Sequence, residues 1–420
     1  MQQSSKNSYI TSLFLVGCLF FIFGFITWLN GTLIPFLKAA CQLNNFQSYF
    51  VTFAFFISYF VMAIPSSVIL KKTGFKKGMS LGLVAMAVGT ILFIPAALQR
   101  NYALFLAGLF TQGLGLAILQ TAVNPYVTIL GPEESAARRI SIMGVANKAA
   151  GILSPIILAS ILLSNIDGIN DQLKTVTDSA ARNQLLDELA RRIINPYIVL
   201  TITLLVLALL IRISPLPEVD EEEENPDTEK AGTASIMHHP YLFLGAIAIF
   251  FYVGVEVIAG DSIISYGTYL GIPIGRAKFF TSLTLGFMVA GYFFGILLTP
   301  KIISQETALK ICGVLGIIFT VGVLTTSGIT SVFFLAALGL AHSIMWPAIW
   351  PMSLKGLGKF TKRGAAFLIM GIAGGAVLPL VYGWLGDRSN LQTAYWIMIP
   401  CYLYILYFAV SGHKVGYKGK

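Results

Sequence analysis

The stretch LFLGAIAIFFYVGVEVIAGDSIISYG, residues 242–267, decides the fold class of this chain. It is long and apolar enough to cross about 30 Å of hydrocarbon as a helix, which takes about 20 residues. It also carries Glu256 and Asp261, the only two carboxylates inside the long apolar runs. A carboxylate at membrane depth costs about 2.5–3.5 kcal/mol on insertion scales, so its default interpretation is functional. We therefore expect a membrane-spanning helix with a transport or coupling role.

The rest of the chain repeats this pattern. Of its 420 residues 56% are hydrophobic and only 11% are charged, which is too little charge for the surface of a soluble protein. Apolar runs of spanning length recur throughout, so we predict an all-α membrane protein with twelve transmembrane helices. The predicted spans are residues 9–37, 46–70, 78–98, 102–130, 140–163, 194–214, 240–270, 277–299, 308–326, 330–352, 364–386 and 391–411.

The basic residues predict the orientation of the chain. The formal net charge is +9, and the lysines and arginines cluster between spans, as in KKTGFKKG (71–78) and KGLGKFTKRG (355–364). These clusters and the basic C-terminal tail fall on one side of the predicted topology, and the opposite side carries fewer. By the positive-inside rule both termini are then cytoplasmic. The positive charge thus reflects membrane orientation, and we expect a lipid bilayer and no nucleic acid as partner.

An acidic segment divides the chain into two halves. The segment SPLPEVDEEEENPDTEKAGTAS (214–235) has too few apolar residues to bury, and it predicts a cytoplasmic linker. We expect a six-helix bundle at 1–213, the linker at 214–238 and a second six-helix bundle at 239–420. Two such lobes are typical of transporters with a site at the membrane midplane. On the opposite side, NQLLDELARR (183–192) predicts a short amphipathic helix.

Polar and aromatic side chains inside the predicted spans are the candidates for binding. Amides supply paired donors and acceptors for sugar hydroxyls, and an indole ring can stack on the C–H face of a sugar. Contacts between helices are an equally good interpretation of the amides and the tryptophans. For His342 a hydrogen-bonded core residue is a better interpretation than a proton carrier. The candidate substrate-binding residues are Trp28, Asn30, Gln120, Asn124, Asn147, Tyr252, His342 and Trp346.

The helix of the first span is expected to break, and that of the seventh span could loosen. In the first span we expect a break at TLIP (32–35), just after the candidate residues. In the seventh span Glu256 and Asp261 are five residues apart, which separates them by about 140° on an unbroken helix. Gly254 and Gly260 could loosen that helix and turn both carboxylates inward.

Lys148 is a lone ammonium inside its predicted span, 140–163. A buried ammonium needs a counter-ion, and Glu256 and Asp261 are its candidate partners. Lys148, Glu256 and Asp261 are therefore the predicted ion-coupling residues. The alternative is a structural ion pair between helices.

Other function classes have little support in the sequence. No nucleophile–base pair, metal cluster or phosphate-binding loop stands out, so we expect neither an enzyme nor a cofactor. A sensor would ordinarily carry a sizeable soluble output domain. We expect a monomer that carries a small molecule across the membrane.

The run LQTAVNPYVTILGPEESAARR (119–139) resembles the fourth span and following loop of the fucose permease branch of the major facilitator superfamily. LNGTLIPFLK (29–38) and GGAVLPLVYGWLGD (374–387) extend the resemblance along the chain. It implies two six-helix bundles, rocker-switch alternating access, and cation-driven monosaccharide uptake across a bacterial inner membrane. It also implies that Asn147 contacts substrate and that Trp346 lines the cavity.

Two positions depart from that family's pattern. Proton-coupled fucose permeases carry an acid in an N-D motif of span one and another in an E-T-A motif of span four. Here those positions are Gly31 and Gln120, neither of which can hold a proton. Coupling then falls to the carboxylates of span seven, with H⁺ or Na⁺ as the ion, and Na⁺ could be held at Glu256 and Asp261.

The sequence thus predicts cation-coupled import of a hexose or N-acetylhexosamine. A facilitative sugar uniporter stays open as an alternative. So does a symporter of an acidic sugar, because Lys148 could meet a substrate carboxylate.

Overall fold

The computed structural model describes residues 2–129, 136–214, 216, 236–298, 302–357 and 360–416. Within these ranges a few side chains, that of Asn124 among them, lie outside the description. Nearly all of the predicted linker, 214–238, also lies outside it.

The described chain is helical and contains no strand. Eleven helical segments are long and apolar enough to cross a membrane, and Phe50–Met62 is a shorter apolar helix. This confirms the prediction of an all-α membrane protein. The helices before the linker are α1 Gln2–Thr27, α2 Asn30–Ala40, α3 Asn45–Ser48, α4 Phe50–Met62, α5 Pro65–Leu98, α6 Tyr102–Ile129, α7 Ala136–Leu162, α8 Ile166–Thr175, α9 Ser179–Arg191 and α10 Ile194–Ile213. Those after it are α11 Pro240–Tyr269, α12 Ile274–Ala277, α13 Phe280–Leu298, α14 Gln305–Thr325, α15 Gly328–His342, α16 Met345–Leu354, α17 Thr361–Met370, α18 Gly374–Arg388 and α19 Met398–Val410.

The first span is interrupted earlier than the sequence predicts. α1 ends at Thr27 and α2 begins at Asn30, and the amide of Leu29 donates to the carbonyl of Ile26 at 3.3 Å, three residues back. The break predicted at 32–35 was wrong, because Pro35 lies inside α2. A proline there removes only its own N–H, and the helix continues past it.

The second and third spans meet at a tight turn. α5 contains a non-helical residue, Gly74, with φ +75° and ψ 169°. This backbone conformation favours glycine, which has no Cβ to clash. The turn lies within the lysine-rich segment 71–78 that the sequence placed between two spans.

The segment between the fifth and sixth spans folds into α8 and α9. Asp178 accepts hydrogen bonds from the amides of Ala180 and Ala181 and so caps α9. α9 buries Leu186 and Leu189. This confirms the predicted amphipathic helix.

The seventh span, α11, is an unbroken helix of 30 residues. The predicted loosening at its glycines was therefore wrong. A Cβ built on Gly254 would lie 2.2 Å from Cδ1 of Leu378 in α18. Gly254 thus allows α18 to pack closely, which explains a glycine here without a bend.

The packing divides the chain into two compact units. Unit 1 comprises Met1–Leu43, Ile64–Asp220 and Ile274–Ser282, and unit 2 comprises Asn44–Ala63, Glu221–Pro273 and Leu283–Lys420. Each unit therefore includes one segment that comes, by sequence, from the other half. The limits 1–213, 214–238 and 239–420 are drawn on sequence order and stay a prediction.

Helices within each unit approach to backbone contact at glycine. In unit 1, a Cβ built on Gly24 of α1 would lie 1.8 Å from the carbonyl oxygen of Asn147 in α7. In unit 2, a Cβ on Gly374 of α18 would lie 1.8 Å from the carbonyl oxygen of Phe250 in α11. Such contacts dominate helix association in lipid, where apolar surface alone gives little driving force.

We expect Gly24→Ala to destabilise the protein, because its methyl group forces α1 and α7 apart. Overpacking of this kind costs about 1–3 kcal/mol, which should lower the melting temperature measured by tryptophan fluorescence in detergent. Gly144→Ala is the matched control, since nothing lies within 4 Å of a Cβ built there. Equal melting temperatures for the two variants would contradict the close contact.

Candidate functional site

In unit 1, Lys148 lies against an aromatic ring. Its Nζ is 5.3 Å from the ring centroid of Trp28, which is within range of a cation–π interaction. The close approach of α1 and α7 at Gly24 brings these two helices together at this level. The indole therefore stabilises part of the ammonium charge that the sequence assigned to a carboxylate.

Asn30 is the most unusual polar residue of unit 1. Its side chain is 1% exposed, and neither its amide nitrogen nor its amide oxygen has a hydrogen-bond partner among the described residues. The neighbouring Thr32 hydroxyl is likewise buried without a partner. Leaving a buried polar group unpaired costs about 1–3 kcal/mol. Such a pair of groups is expected to bond to a ligand or to water.

The other candidates of unit 1 are placed differently. The Nδ2 of Asn147 donates to the carbonyl of Phe20 at 3.2 Å, a hydrogen bond that joins α7 to α1. Gln120 lies half-buried in α6, and no described contact joins it to Trp28 or Lys148. Asn124 is in the same helix, but its side chain lies outside the description. Among these candidates, the described side chains show a contact between Trp28 and Lys148.

In unit 2, three aromatic side chains form a row. The ring centroids of Tyr252 and Trp346 are 6.3 Å apart, and those of Trp346 and Trp350 are 5.1 Å apart with nearly parallel planes. Both tryptophans are half-buried. We call Tyr252, Trp346 and Trp350 the aromatic row. Flat, partly accessible rings of this kind can stack on the apolar face of a ligand.

His342 lies behind the aromatic row. It is fully buried, its Nε2 is 2.6 Å from the hydroxyl of Tyr402, and its ring centroid is 6.4 Å from that of Tyr252. These contacts match the interpretation of His342 as a hydrogen-bonded core residue. Its predicted role in binding stays a prediction.

The two carboxylates of α11 have different surroundings. Glu256 is half-buried and interacts with the hydroxyl of Tyr252, four residues earlier on the same face. Asp261 is 1% exposed and lies beside the hydroxyl of Thr52 in α4, and its Oδ2 has no hydrogen-bond partner among the described residues. Because α11 is unbroken, their directions differ by about 140°.

Two serines follow Asp261 along α11, at positions 262 and 265. Ser265 is buried, and its Oγ has no partner in the described chain. The Oγ of Ser262 is already committed, since it lies 2.6 Å from the carbonyl of Ile258 and 2.7 Å from the hydroxyl of Tyr395. A cation at Asp261 would thus find Ser265 and Thr52 more available than Ser262.

Thr52 was missed by the sequence interpretation. It is a single hydroxyl in the apolar run FVTFAFF (50–56), where a threonine most often bonds to its own helix backbone. Only its position beside Asp261 in the folded chain distinguishes it. Lys148 belongs to unit 1 and both carboxylates to unit 2, so their pairing stays a prediction.

A family model described as the Major Facilitator Superfamily matches residues 16–376. The chain belongs to the Major Facilitator Superfamily. It is therefore a multi-pass membrane transporter and not an enzyme, as the sequence predicted.

Relatives place the chain within this superfamily. It is 36% identical over 416 residues to a protein named glucose/galactose transporter from Brucella abortus (biovar 1, strain 9-941), covering 98% of this chain and 97% of the relative. It is 33% identical over 420 residues to a putative glucose/galactose transporter of Helicobacter pylori (strain ATCC 700392 / 26695), covering 99% of each. It is 32% identical over 417 residues to the L-fucose-proton symporter of Escherichia coli (strain K12), covering 96% of this chain and 93% of the relative. These matches confirm the predicted fucose permease branch.

A solved structure has the same fold along the whole chain. The crystal structure of the transporter FucP in the outward conformation matches with a TM-score of 0.74 and 28% sequence identity, covering 98% of this chain and 100% of that one. This confirms the twelve-helix fold of the superfamily.

We expect Asn30→Leu to keep or raise the melting temperature in detergent, because it replaces an unpaired buried amide with an apolar side chain of similar size. Asn147→Leu is the comparison variant and should lower it, since the bond to Phe20 is lost, at a cost of about 1 kcal/mol. A clear destabilisation by Asn30→Leu would mean that the amide has a structural partner in the protein.

Proposed function

We propose that this transporter imports a neutral monosaccharide, a hexose or N-acetylhexosamine, by alternating access coupled to a cation. The observation that carries the proposal is the full-length similarity to relatives named as glucose/galactose transporters and as an L-fucose-proton symporter. The two half-buried tryptophans of the aromatic row support the sugar class, because indole rings stack on the C–H face of a pyranose.

The sugar is proposed to contact the candidate residues named from the sequence. In unit 1 these are the unpaired amide of Asn30, together with Trp28, Gln120, Asn124 and Asn147. In unit 2 they are Tyr252 and Trp346, with His342 as a support behind them. A buried amide without a partner favours a ligand that offers both donors and acceptors, as a sugar hydroxyl pair does.

The proposed membrane is the bacterial inner membrane, with both termini in the cytoplasm. The curated relatives named above all come from bacteria. The lysine-rich turn around Gly74 then faces the cytoplasm, in agreement with the positive-inside rule. The face that carries α8 and α9 is the outer one. The transporter is proposed to act as a monomer.

Coupling is assigned to the carboxylates of α11. Gly31 and Gln120 cannot titrate, whereas Asp261 is a buried carboxylate with one oxygen unpaired and Glu256 is half-buried beside the aromatic row. Either H⁺ on a carboxylate or Na⁺ among Asp261, Thr52 and Ser265 would neutralise this charge in a membrane interior. Lys148 is proposed as the countercharge during the cycle.

One observation favours an acidic sugar as a second candidate. Lys148 presents an ammonium over the indole of Trp28, an arrangement that could bind a substrate carboxylate. Lys148→Gln should then abolish binding of an acidic sugar while neutral sugars still bind; a loss of accumulation without a loss of binding would instead reflect its role as countercharge.

Uptake into proteoliposomes should separate these possibilities. A panel of labelled neutral and acidic sugars is offered under a pH gradient or a Na⁺ gradient, each imposed alone. We expect one neutral sugar to accumulate under one of the gradients. Uptake that only equilibrates under both would indicate a uniporter, and uptake of no sugar would contradict the proposal.

We expect Glu256→Gln or Asp261→Asn to abolish accumulation while sugar exchange persists, because the neutral side chain cannot follow the ion. Asp171→Asn, an exposed carboxylate of α8 paired only locally with Lys174, is the control and should accumulate normally. If both α11 variants accumulate sugar fully, coupling does not lie in this helix.

We expect Trp346→Ala to raise the KM for sugar about tenfold or more, because the stacking surface is lost. Trp396→Ala removes a tryptophan that is 58% exposed, and it should leave KM unchanged. The measurement is initial uptake against sugar concentration. An unchanged KM in Trp346→Ala would show that the aromatic row serves packing alone.

A further inference from the structure

We infer that Asp387 and Asp167 are a pair of gate latches that hold the outer side of the transporter closed. The assignment of the outer side rests on the topology given in the proposed function. The contacts themselves lie within one unit each, and neither residue belongs to the proposed sugar or ion site.

The latch in unit 2 is the carboxylate of Asp387, the penultimate residue of α18. Its Oδ1 accepts from the backbone N–H of Asn45 at 3.0 Å and from the Nδ2 of Asn45 at 2.7 Å, and its Oδ2 accepts from the N–H of Phe46 at 2.8 Å. Asn45 and Phe46 are the first two residues of α3. A charged acceptor on free amides at a helix start is among the stronger hydrogen-bonding arrangements in proteins.

The latch in unit 1 repeats this arrangement. Asp167, near the start of α8, accepts from the N–H of Ile274 at 3.4 Å and from the N–H of Gly275 at 3.5 Å. These are the first two residues of α12, which like α3 is a four-residue helix just before a spanning helix. The bonds are longer than those of Asp387, so this latch is the weaker of the two.

The two latches occupy equivalent places in the two halves of the chain. Asp167 follows the fifth span of the first half, and the amides that donate to it begin the second span of the second half. Asp387 ends the fifth span of the second half, and the amides that donate to it begin the second span of the first half. The segments they hold, Asn44–Ala63 and Ile274–Ser282, are the two that pack away from their own half of the sequence. Two capping contacts at equivalent places are difficult to explain as local helix capping. α3 already has a local cap, because Asn44 accepts from the N–H of Gln47 at 2.7 Å.

A close backbone contact accompanies the stronger latch. One turn before Asp387, a Cβ on Gly383 would lie 2.4 Å from the ring of Tyr49 and 3.0 Å from the carbonyl oxygen of Asn45. Glycine therefore lets α18 approach the beginning of the second span. Closure of the outer side needs both the close approach of α18 at Gly383 and the hydrogen bonds of the Asp387 carboxylate.

The two aspartates act as positioning residues for the transport cycle. While the latches are made, the outer parts of α4 and α13 are covered: Thr52 is fully buried and Ser282 is 8% exposed. Each is the third residue of its helix, so the two positions are matched reporters. When the transporter opens to the outside, the four backbone N–H groups must lose their hydrogen bonds to the two carboxylates and bond to water instead.

The test measures labelling of these reporters by a membrane-impermeant maleimide from the outer side. Thr52→Cys and Ser282→Cys are made in full-length protein with Cys41→Ser, since Cys41 is a half-buried thiol at the end of α2. We expect Asp387→Asn to raise the labelling rate at position 52 about tenfold, because the charged contacts to Asn45 and Phe46 are weakened. We expect Asp167→Asn to raise the rate at position 282 about threefold.

The matched control is Asp178→Asn. Asp178 also accepts from two backbone amides at a helix start, but those amides belong to its own helix, α9. It should leave both labelling rates unchanged. If Asp387→Asn and Asp167→Asn label no faster than this control, the latches do not govern opening.

Gly383→Ala provides a second route that leaves Asp387 in place. Its methyl group should hold α18 away from α3 and raise the labelling rate at position 52, whereas an unchanged rate would argue against the gate. A global loss of folding is excluded by a monodisperse gel-filtration peak. Labelling needs no sugar, so a failure of the sugar proposal would appear only in uptake and would leave the latch result intact.

A kinetic readout separates gating from a merely structural role. Weakening the latches populates the outward-open state, so the KM for sugar at the outer side should fall severalfold. The maximal rate should fall as well, because closure becomes slower. A fall in rate with KM unchanged would indicate general damage and would overturn the inference.

Discussion

In the hydrocarbon core of a membrane, every polar group must find its partner inside the protein, and the rest of this structure depends on that constraint. It explains why the described chain is helical, since a helix satisfies its own backbone. It also gives weight to the exceptions. Asn30 and the Oδ2 of Asp261 are deeply buried and lack partners among the described residues. In a soluble protein water often supplies such partners, but at membrane depth a transported substrate or ion is the more economical explanation.

Close packing at glycine then decides which side chains meet. Because α1 and α7 touch at Gly24, the side chains that follow Asn147 come within reach of α1, and the ammonium of Lys148 reaches the ring of Trp28. The same principle operates in unit 2. There, Gly374 of α18 lies against the backbone of Phe250 in α11. This contact holds α11 close to α18. A small residue in one helix thus decides which polar or aromatic side chains of the next helix come within reach.

The sequence predicted the properties that depend on local composition. The length of the apolar runs predicted the membrane spans. The run from Leu119 to Arg139 indicated the family, which the family model confirms. Features that depend on distant packing could not be predicted. From the sequence, Gly254 could equally mark a flexible point or a close helix contact. The position of Leu378 in α18, next to Gly254, shows that it is a close contact. The proximity of Thr52 to Asp261 could not be predicted either, because the two residues are more than two hundred positions apart in the sequence.

The proposed gate and the proposed coupling site share one segment of the chain. Asn45, held by Asp387, lies seven residues before Thr52, about two helical turns, and Thr52 lies beside Asp261. The segment that the latch holds is therefore the one that covers this carboxylate. If the amides of α3 leave Asp387, the same movement removes Thr52 from Asp261 and opens the carboxylate to the outer solution. On these two proposals, ion exchange at Asp261 needs no separate gate, since its access is set by the contact that closes the outer side.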